Sequence, residues 1–496
     1  MATQEVTGMN EAERYNRQTL LWGDEGQQKL AQARVSVIGL NPQGLYTALC
    51  LTSLGIGNVV LIDGNQTQEG EMFLDRPLGT NPRATEYAPM INLINPSISV
   101  EGYSTNLESR MDQEALFSST VIVDATNSIR SKQLALQYGK EKGIPVLSTS
   151  SRWGYTKTMY CDPAKNDPAY LMPMFEGQEQ DVLMGLLSCG VVTEEVRKLL
   201  FKETDDFLKE PVRYRLGQSY HFGFPRKGEE IPRPDPEIYR LLRLAFLGGG
   251  ALGCWGAIAA AQMGFGRVDQ VDYDSFDSTN INRQILGYDG VGELKAIHVA
   301  KKIEAMSRGR TASTGHNVMI LPGVEIPGEY DLMFDFVDNL YTRAVNTAYA
   351  INHNVPMISA GAYPFSARII SQVRGKTRCL DHLYQVYARG KEEEMIRRAS
   401  CAANPNPSVV MSNAVAAAMA MLEVYSIFEP EKFGEPFNGE QTYRANLRKR
   451  FGTNPLTDPC DCYEHTPPTL EISDDDVKRF AEANPQALLG TKKEEV

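Results

Sequence analysis

The sequence predicts an α/β protein: two tandem doubly wound, mostly parallel sheets with a small helical domain inserted between them. Three observations carry the prediction. "VSVIGLNPQGLYTALCLTSLGIGNVVLIDGN" from Val35 and "LAFLGGGALGCWGAIAAAQMGFGRVDQVDYD" from Leu244 align without a gap at an offset of 209 residues. Gly39, Gly44, Gly55, Gly57 and Asp63 fall on Gly248, Gly253, Gly264, Gly266 and Asp272. Further on, Asp124 and Pro145 match Asp335 and Pro356 at an offset of 211. Self-similarity over that length marks a tandem duplication.

Each copy reads element by element. A short apolar run, "VSVIGL" or "LAFLGG", suits a strand buried on both faces of a parallel sheet. "LYTALCLTSLGIG" and "CWGAIAAAQMGFG" have helix length and end at glycine, a helix stop. A second strand ends in Asp63 or Asp272, which completes the βαβ unit of a doubly wound fold. The stretch about 161–237 contains "EEVRKLLFKETDDFLK", a helical pattern with no match in the second copy, and reads as the inserted domain. The expected units are therefore 1–160, the insert 161–237, 238–465, and an acidic tail, 466–496, with one short helix.

The 496 residues suit roughly three domain-sized units. A net charge of −12 argues against a nucleic-acid partner. The uncharged run Leu244–Gly266 is long enough to raise the question of a membrane span, but three consecutive glycines break it into strand, turn and helix. The N-terminus has no signal-peptide pattern, so the expectation is a cytoplasmic protein. Eight scattered cysteines then point to metal or thiol chemistry rather than disulfides.

The chemistry concentrates in the second copy. Gly248, Gly250 and Gly253 satisfy G-x-G-x-x-G, which lets a backbone and a helix N-terminus approach a phosphate. Asp272 stands where a carboxylate holds ribose hydroxyls. Alone, this serves NAD, FAD, a methyl donor or ATP equally. The tail "NINRQ" decides among them. Asn280 and Gln284 suit phosphate oxygens or a metal-bound water, and Arg283 and Lys295 add two cations. Those cations suit a triphosphate about to lose pyrophosphate. Asp338, in "FDFVDN" at the end of a later strand, is placed to hold Mg²⁺.

"GGGALG", "DYDSFDSTNINRQ", "GELKA" and "DFVDN", in this order, resemble the ubiquitin-activating enzymes and their bacterial relatives ThiF and MoeB. "RYNRQTLLWGDEGQQKLAQARV" resembles the opening helix of that family. The resemblance implies adenylation by Mg-ATP of the C-terminal carboxylate of a small ubiquitin-fold or sulfur-carrier protein. It assigns the ribose to Asp272, the triphosphate to Asn280, Arg283, Gln284 and Lys295, and the metal to Asp338. The family works as a dimer in which an arginine of one protomer's opening helix enters the partner's site. Arg17 stands at that position here, which implies an internal pseudo-dimer. Copy one departs from the pattern: Asn41 replaces the middle glycine, the "NINRQ" tail is absent, Arg83 takes the lysine place and Asn127 the metal aspartate's. One ATP site per chain follows.

Cys379 with His382 and Cys462 with His465 form two C-x-x-H pairs where the relatives carry zinc-binding C-x-x-C pairs, and Cys460 offers another ligand set. Cys401 precedes an apolar helical run where the family often has a cysteine that forms a thioester or enters persulfide chemistry; a small buried residue at a helix start is the alternative. Two further readings stay open. One is an adenylating enzyme that tailors a ribosomal peptide. The other, of a different class, is an NAD-dependent oxidoreductase, which leaves Lys295 and Asp338 without a role.

Overall fold

In the computed structural model, which describes residues 11–162, 181–203, 208, 210–216, 230–399 and 406–484, the two copies form two sheets of the same strand order. The first unit contains β1 (Arg34–Ile38), β2 (Asn58–Ile62), a small hairpin β3 (Met72–Phe73) and β4 (Arg76–Pro77), β5 (Ser99–Tyr103), β6 (Val121–Asp124), β7 (Val146–Arg152), β8 (Tyr155–Cys161) and β9 (Val212–Arg215). Its sheet runs β5-β2-β1-β6-β7-β8-β9. The second unit contains β10 (Arg243–Leu247), β11 (Arg267–Val271), β12 (Gly315–His316), β13 (Leu332–Asp335), β14 (Met357–Tyr363), β15 (Ser366–Gln372), β16 (Gly439–Arg444) and β17 (Phe451–Pro455). Its sheet runs β12-β11-β10-β13-β14-β15-β16-β17. In both, the strands up to β7 or β14 are parallel and the remainder antiparallel.

The helices of the first unit are α1 (Glu11–Ala31), α2 (Pro42–Leu54), α3 (Arg83–Ile94), α4 (Ile129–Lys142) and α5 (Val182–Phe201). The second unit carries α6 (Pro236–Leu241), α7 (Ala251–Met263), α8 (Lys295–Met306), α9 (Leu340–Asn352), α10 (Leu380–Tyr384), α11 (Val386–Ala399), α12 (Val410–Phe428), α13 (Pro430–Phe433) and α14 (Asp474–Ala483). Each βα turn uses a glycine at positive φ, Gly39 at 83° and Gly248 at 109°, a backbone region open mainly to glycine. The helices α2 and α7 both end at a left-handed glycine, Gly55 and Gly264.

The stretch expected as an inserted domain contains the expected helix where described, and also a strand, and it does not stand apart. It gives the first unit α5 and β9, and α5 takes the place there that α12 has in the second unit, after the antiparallel hairpin. The lack of a sequence match to the second copy suggested an insert, whereas the charges of its helix are buried in pairs. Arg197 meets Glu194 at 2.8 Å, and Glu195 meets Lys198 at 3.2 Å and Arg450 of the second unit at 2.8 Å. Burial of ionic groups is tolerable only with such partners.

The helices α2, α5, α7 and α12 form the layer between the units. A Cβ at Gly190 of α5 would come within 2.5 Å of the Met411 carbonyl on α12, so the two helices touch backbone to backbone. Tyr46 and Trp255 meet edge to face with centroids 6.3 Å apart. Among the described residues, α12 alone is long and apolar enough to cross a membrane, and 94% of that apolar window is buried. Its apolarity serves this interface. Polar contacts add to it: Lys302 of α8 reaches Asp75 and Asp289 at 2.8 Å each, and Arg76 donates to the Tyr288 hydroxyl at 2.7 Å.

Candidate functional site

At the C-terminal end of β10, Gly248 leaves the strand so close to Phe336 that a Cβ would lie 2.9 Å from its carbonyl oxygen. A Cβ at Gly253 would meet the Gly248 carbonyl at 2.2 Å, so helix and strand can pack this tightly only with glycine at both places. Gly249 N–H donates to Asp272 Oδ2 at 2.6 Å, and Asp274 N–H donates to its Oδ1 at 2.8 Å. Burial raises the Asp272 carboxyl above its ordinary range, while Lys295 and those N–H groups oppose the rise. Gly250 caps α7 without a side chain, which leaves helix N–H groups facing outward, the arrangement that suits an anion.

The first copy holds the same turn closed. Leu40 N–H donates to Asp63 Oδ2 at 2.7 Å, as Gly249 does to Asp272. Asn41, however, folds its own side chain over the helix end: Gly44 N–H donates to its Oδ1 at 3.2 Å, and its Nδ2 donates to the Ala125 carbonyl at 2.7 Å. Pro42 removes another donor. From above, α5 closes on the turn, since a Cβ at Gly185 would lie 2.7 Å from Pro42 Cβ. Arg83 begins α3 as Lys295 begins α8, but it lies 3.6 Å from Glu71. Asn127 donates to the Ser151 carbonyl at 2.9 Å.

In the second copy the cations are left for something else. Arg283 is buried, and its Nη1 donates to the Thr279 carbonyl at 2.9 Å and to Asn282 Oδ1 at 2.8 Å. Among the described residues it pairs with no carboxylate. Burial and the nearby Arg17 charge lower its pKa to about 10, with Asp338 opposing. Arg17 comes from α1 of the first unit and donates to the Asn406 carbonyl at 3.3 Å, again without a carboxylate partner among the described residues. Its helix is moored on the second unit by Ser278 donating to Glu13 at 3.0 Å and Asn282 donating to Gln18 at 3.0 Å. Lys295 differs from the two arginines: its single charge already meets Asp274 at 3.2 Å, which leaves further N–H donors of the ammonium for a ligand.

Asn280 accepts from Asp277 N–H at 3.2 Å in a capping box and so shapes the loop. Gln284 is buried with its Nε2 beside Gly250, and its Oε1 has no hydrogen-bond partner among the described residues. That orphan acceptor suits a ribose hydroxyl or a metal-bound water. Asp338 is exposed on the loop after β13. Asp335 does the structural work nearby, held by Arg343 at 2.8 Å, Ser359 at 2.6 Å and Asn346 at 2.9 Å.

Away from this cleft, Cys379, His382, Cys460 and Cys462 place their ligand atoms within 4.8 Å of one another. Cys379 Sγ is 3.1 Å from Cys462 Sγ, which is 3.0 Å from His382 Nδ1. His465, expected as the fourth ligand, instead meets Asp461 at 3.2 Å, and Cys460 takes its place. The short turn Cys462–Glu464 directs His465 outward, which two C-x-x-H spacings alone do not reveal. Cys401 lies outside the described residues. Sequence reasoning missed Asp274, Gln18 and Asn282; the second acid of "DYD" was the one visible signal among them.

Relatives were found for parts of the chain. The SAMP-activating enzyme E1 of Haloferax volcanii is 25% identical over 41% of this chain and 85% of its own length. The adenylyltransferase and sulfurtransferase MOCS3 of Dictyostelium discoideum is 29% identical over 32% of this chain, and the SUMO-activating enzyme subunit 1 of Xenopus tropicalis 28% over 33%. The match spans 39% and 47% of those two relatives. Among solved structures, E. coli MccB with AMPCPP and MccA aligns at 20% identity with a TM-score of 0.39, over 45% of this chain and 66% of that one. Both copies of the glycine turn and the cations beside the second lie within residues 15–193 and 230–462, the two segments matched by one family profile, and the chain belongs to the ThiF family.

Proposed function

We propose that the chain is an ATP-dependent adenylyltransferase that activates the C-terminal carboxylate of a small ubiquitin-like or sulfur-carrier protein, or of a peptide, with release of pyrophosphate. One observation carries the reading: the buried Arg283 of the second unit feels the charge of Arg17 from the first, beside an uncapped glycine turn, and among the described residues neither forms an ion pair with a carboxylate. Two partly desolvated cations side by side are unfavourable unless an anion joins them. A triphosphate supplies that anion, and the charge that grows on departing pyrophosphate strengthens the contact in the transition state.

In this reading Asp272 holds the ribose, Gly248 to Gly253 admit the phosphate backbone, and Asn280, Gln284 and Lys295 orient the triphosphate. Asp338 and the phosphates would hold Mg²⁺, which would offset charge on the leaving group. The nicotinamide alternative leaves Lys295 and Asp338 without a role. The relatives named as SAMP- and SUMO-activating enzymes support the choice of a small protein substrate. Cys401 is proposed as the acceptor thiol after adenylation.

Calorimetric titration tests the site. One Mg-ATP per chain and no NAD⁺ is the expected result, because Asn41, Pro42 and α5 close the first turn. NAD⁺ binding without Mg-ATP binding would overturn the proposal, and two Mg-ATP per chain would reopen copy one.

The Cys379, His382, Cys460 and Cys462 cluster is proposed to hold structural Zn²⁺, its three sulfurs and one imidazole being a donor set that ion accepts. Metal analysis is expected to give one equivalent for the wild type and for His465→Ala, and none for Cys460→Ser. Metal lost from His465→Ala alone would restore the C-x-x-H pairing instead.

A further inference from the structure

Asn282 looks like a spacer within "NINRQ", yet it is fully buried. Its Nδ2 donates to Gln18 Oε1 of α1 at 3.0 Å and to the Ser408 carbonyl at 3.4 Å. Its Oδ1 accepts from Arg283 Nη1 at 2.8 Å. Gln18, also fully buried, donates in turn to Gln27 Oε1 at 2.7 Å and to the Leu54 carbonyl at 2.8 Å. A continuous row of amides thus runs from the first unit to the cation of the second. The same place receives residues 406–408, where Ser408 N–H donates to the Arg17 carbonyl at 3.3 Å.

We infer that Asn282 is a positioning residue: it fixes Arg283 toward the phosphates and makes that placement depend on the docked α1 of the other unit. The inference rests on the ATP site proposed above. Both N–H groups of Arg283 Nη1 have acceptors, Thr279 O and Asn282 Oδ1, and among the described residues Nε and Nη2 have none, which leaves them for a ligand. The role needs a side chain that accepts at one atom and donates from another, which an amide does and a carboxylate does not. Alanine would leave Arg283 Nη1 and Gln18 Oε1 each short of a partner in a buried place. A carboxylate would pair with the guanidinium, compete with phosphate for it, and lose the donor to Gln18.

The experiment uses the full chain and titrates Mg-ATP and, separately, adenosine, which lacks every phosphate. Wild type, Asn282→Ala, Asn282→Asp, Arg283→Ala and the Asn282→Ala/Arg283→Ala double variant are compared. Loss of one charge-supporting hydrogen bond is expected to weaken Mg-ATP binding by Asn282→Ala about tenfold, with adenosine binding unchanged. In the Arg283→Ala background the same change is expected to do nothing more, because the group it positions is gone. Asn282→Asp guards against a folding defect: it is expected to keep its thermal transition and lose Mg-ATP affinity. Wild-type Mg-ATP affinity in either single Asn282 variant, while Arg283→Ala loses it, would overturn the inference alone. So would parallel loss of adenosine and Mg-ATP, the mark of a merely structural role. A wild type that binds no Mg-ATP would remove the proposed function itself and this inference with it.

Discussion

Arg17→Ala is expected to slow adenylate formation roughly 10²–10³-fold at saturating Mg-ATP, the range seen when one preorganised donor to developing charge is removed. The effect should reach a site built otherwise from the second unit, because Arg17 arrives on α1 from the first. The fold should survive. α1 keeps its mooring through Gln18 and Asn282, and Arg17 itself gives up one bond to the Asn406 carbonyl. Removing Arg17 also removes a like charge from beside Arg283, so the Arg283 pKa should rise back from about 10. ATP–pyrophosphate exchange with a carboxylate substrate, beside a thermal melt, is the measurement. Full exchange in a folded Arg17→Ala chain would show that the two units do not share one site.

The second large effect is at Asp338. Alanine there is expected to cut exchange by roughly 10³-fold, as for loss of a group that stabilises charge on a transferring phosphoryl group. Stability should move by no more than about 0.5 kcal/mol, because the carboxylate is exposed and has no hydrogen bond or ion pair among the described residues. Asp335, three residues earlier, gives the contrast: it is buried and bonded to Arg343, Ser359 and Asn346, so its loss should unfold the unit rather than silence it. The first copy repeats the structural pair as Asp124 and Lys132 at 3.2 Å but puts Asn127 in the other place. Evidently the fold needs the ion pair in both units, and the proposed chemistry needs the second acid in one. Exchange within about tenfold of wild type from a folded Asp338→Ala chain would sink this assignment.

Much of the site was legible because local chain geometry forces it. A strand that turns into a helix at a phosphate needs glycines at set offsets, and the acid that anchors the turn must end the next strand. Those demands fix Gly248, Gly253 and Asp272 in one dimension, and the repeat made the worn copy legible by comparison. Asn41 was legible as the loss of the middle glycine; that it caps the helix beside Pro42, which lacks an N–H, is seen in the structure.

Other features depend on partners far away in sequence. The charges of α5 gave no sign of their partners, since Arg450, which meets Glu195, lies 255 residues on. His465 shared the spacing of a ligand, and the turn at Cys462–Glu464 gave its place to Cys460. Asn282 passed for a spacer because its bond to Gln18 spans 264 residues. The sequence by itself determined the duplicated α/β fold, the glycine turns and the residue types at the second site, because these follow from periodicity and short-range backbone constraints. Only the tertiary structure decided which of those residues stay unpaired: whether a buried charge or amide has a partner depends on elements that meet across the interface, and among the described residues that pairing brings Arg17 near Arg283 and gives neither a carboxylate partner.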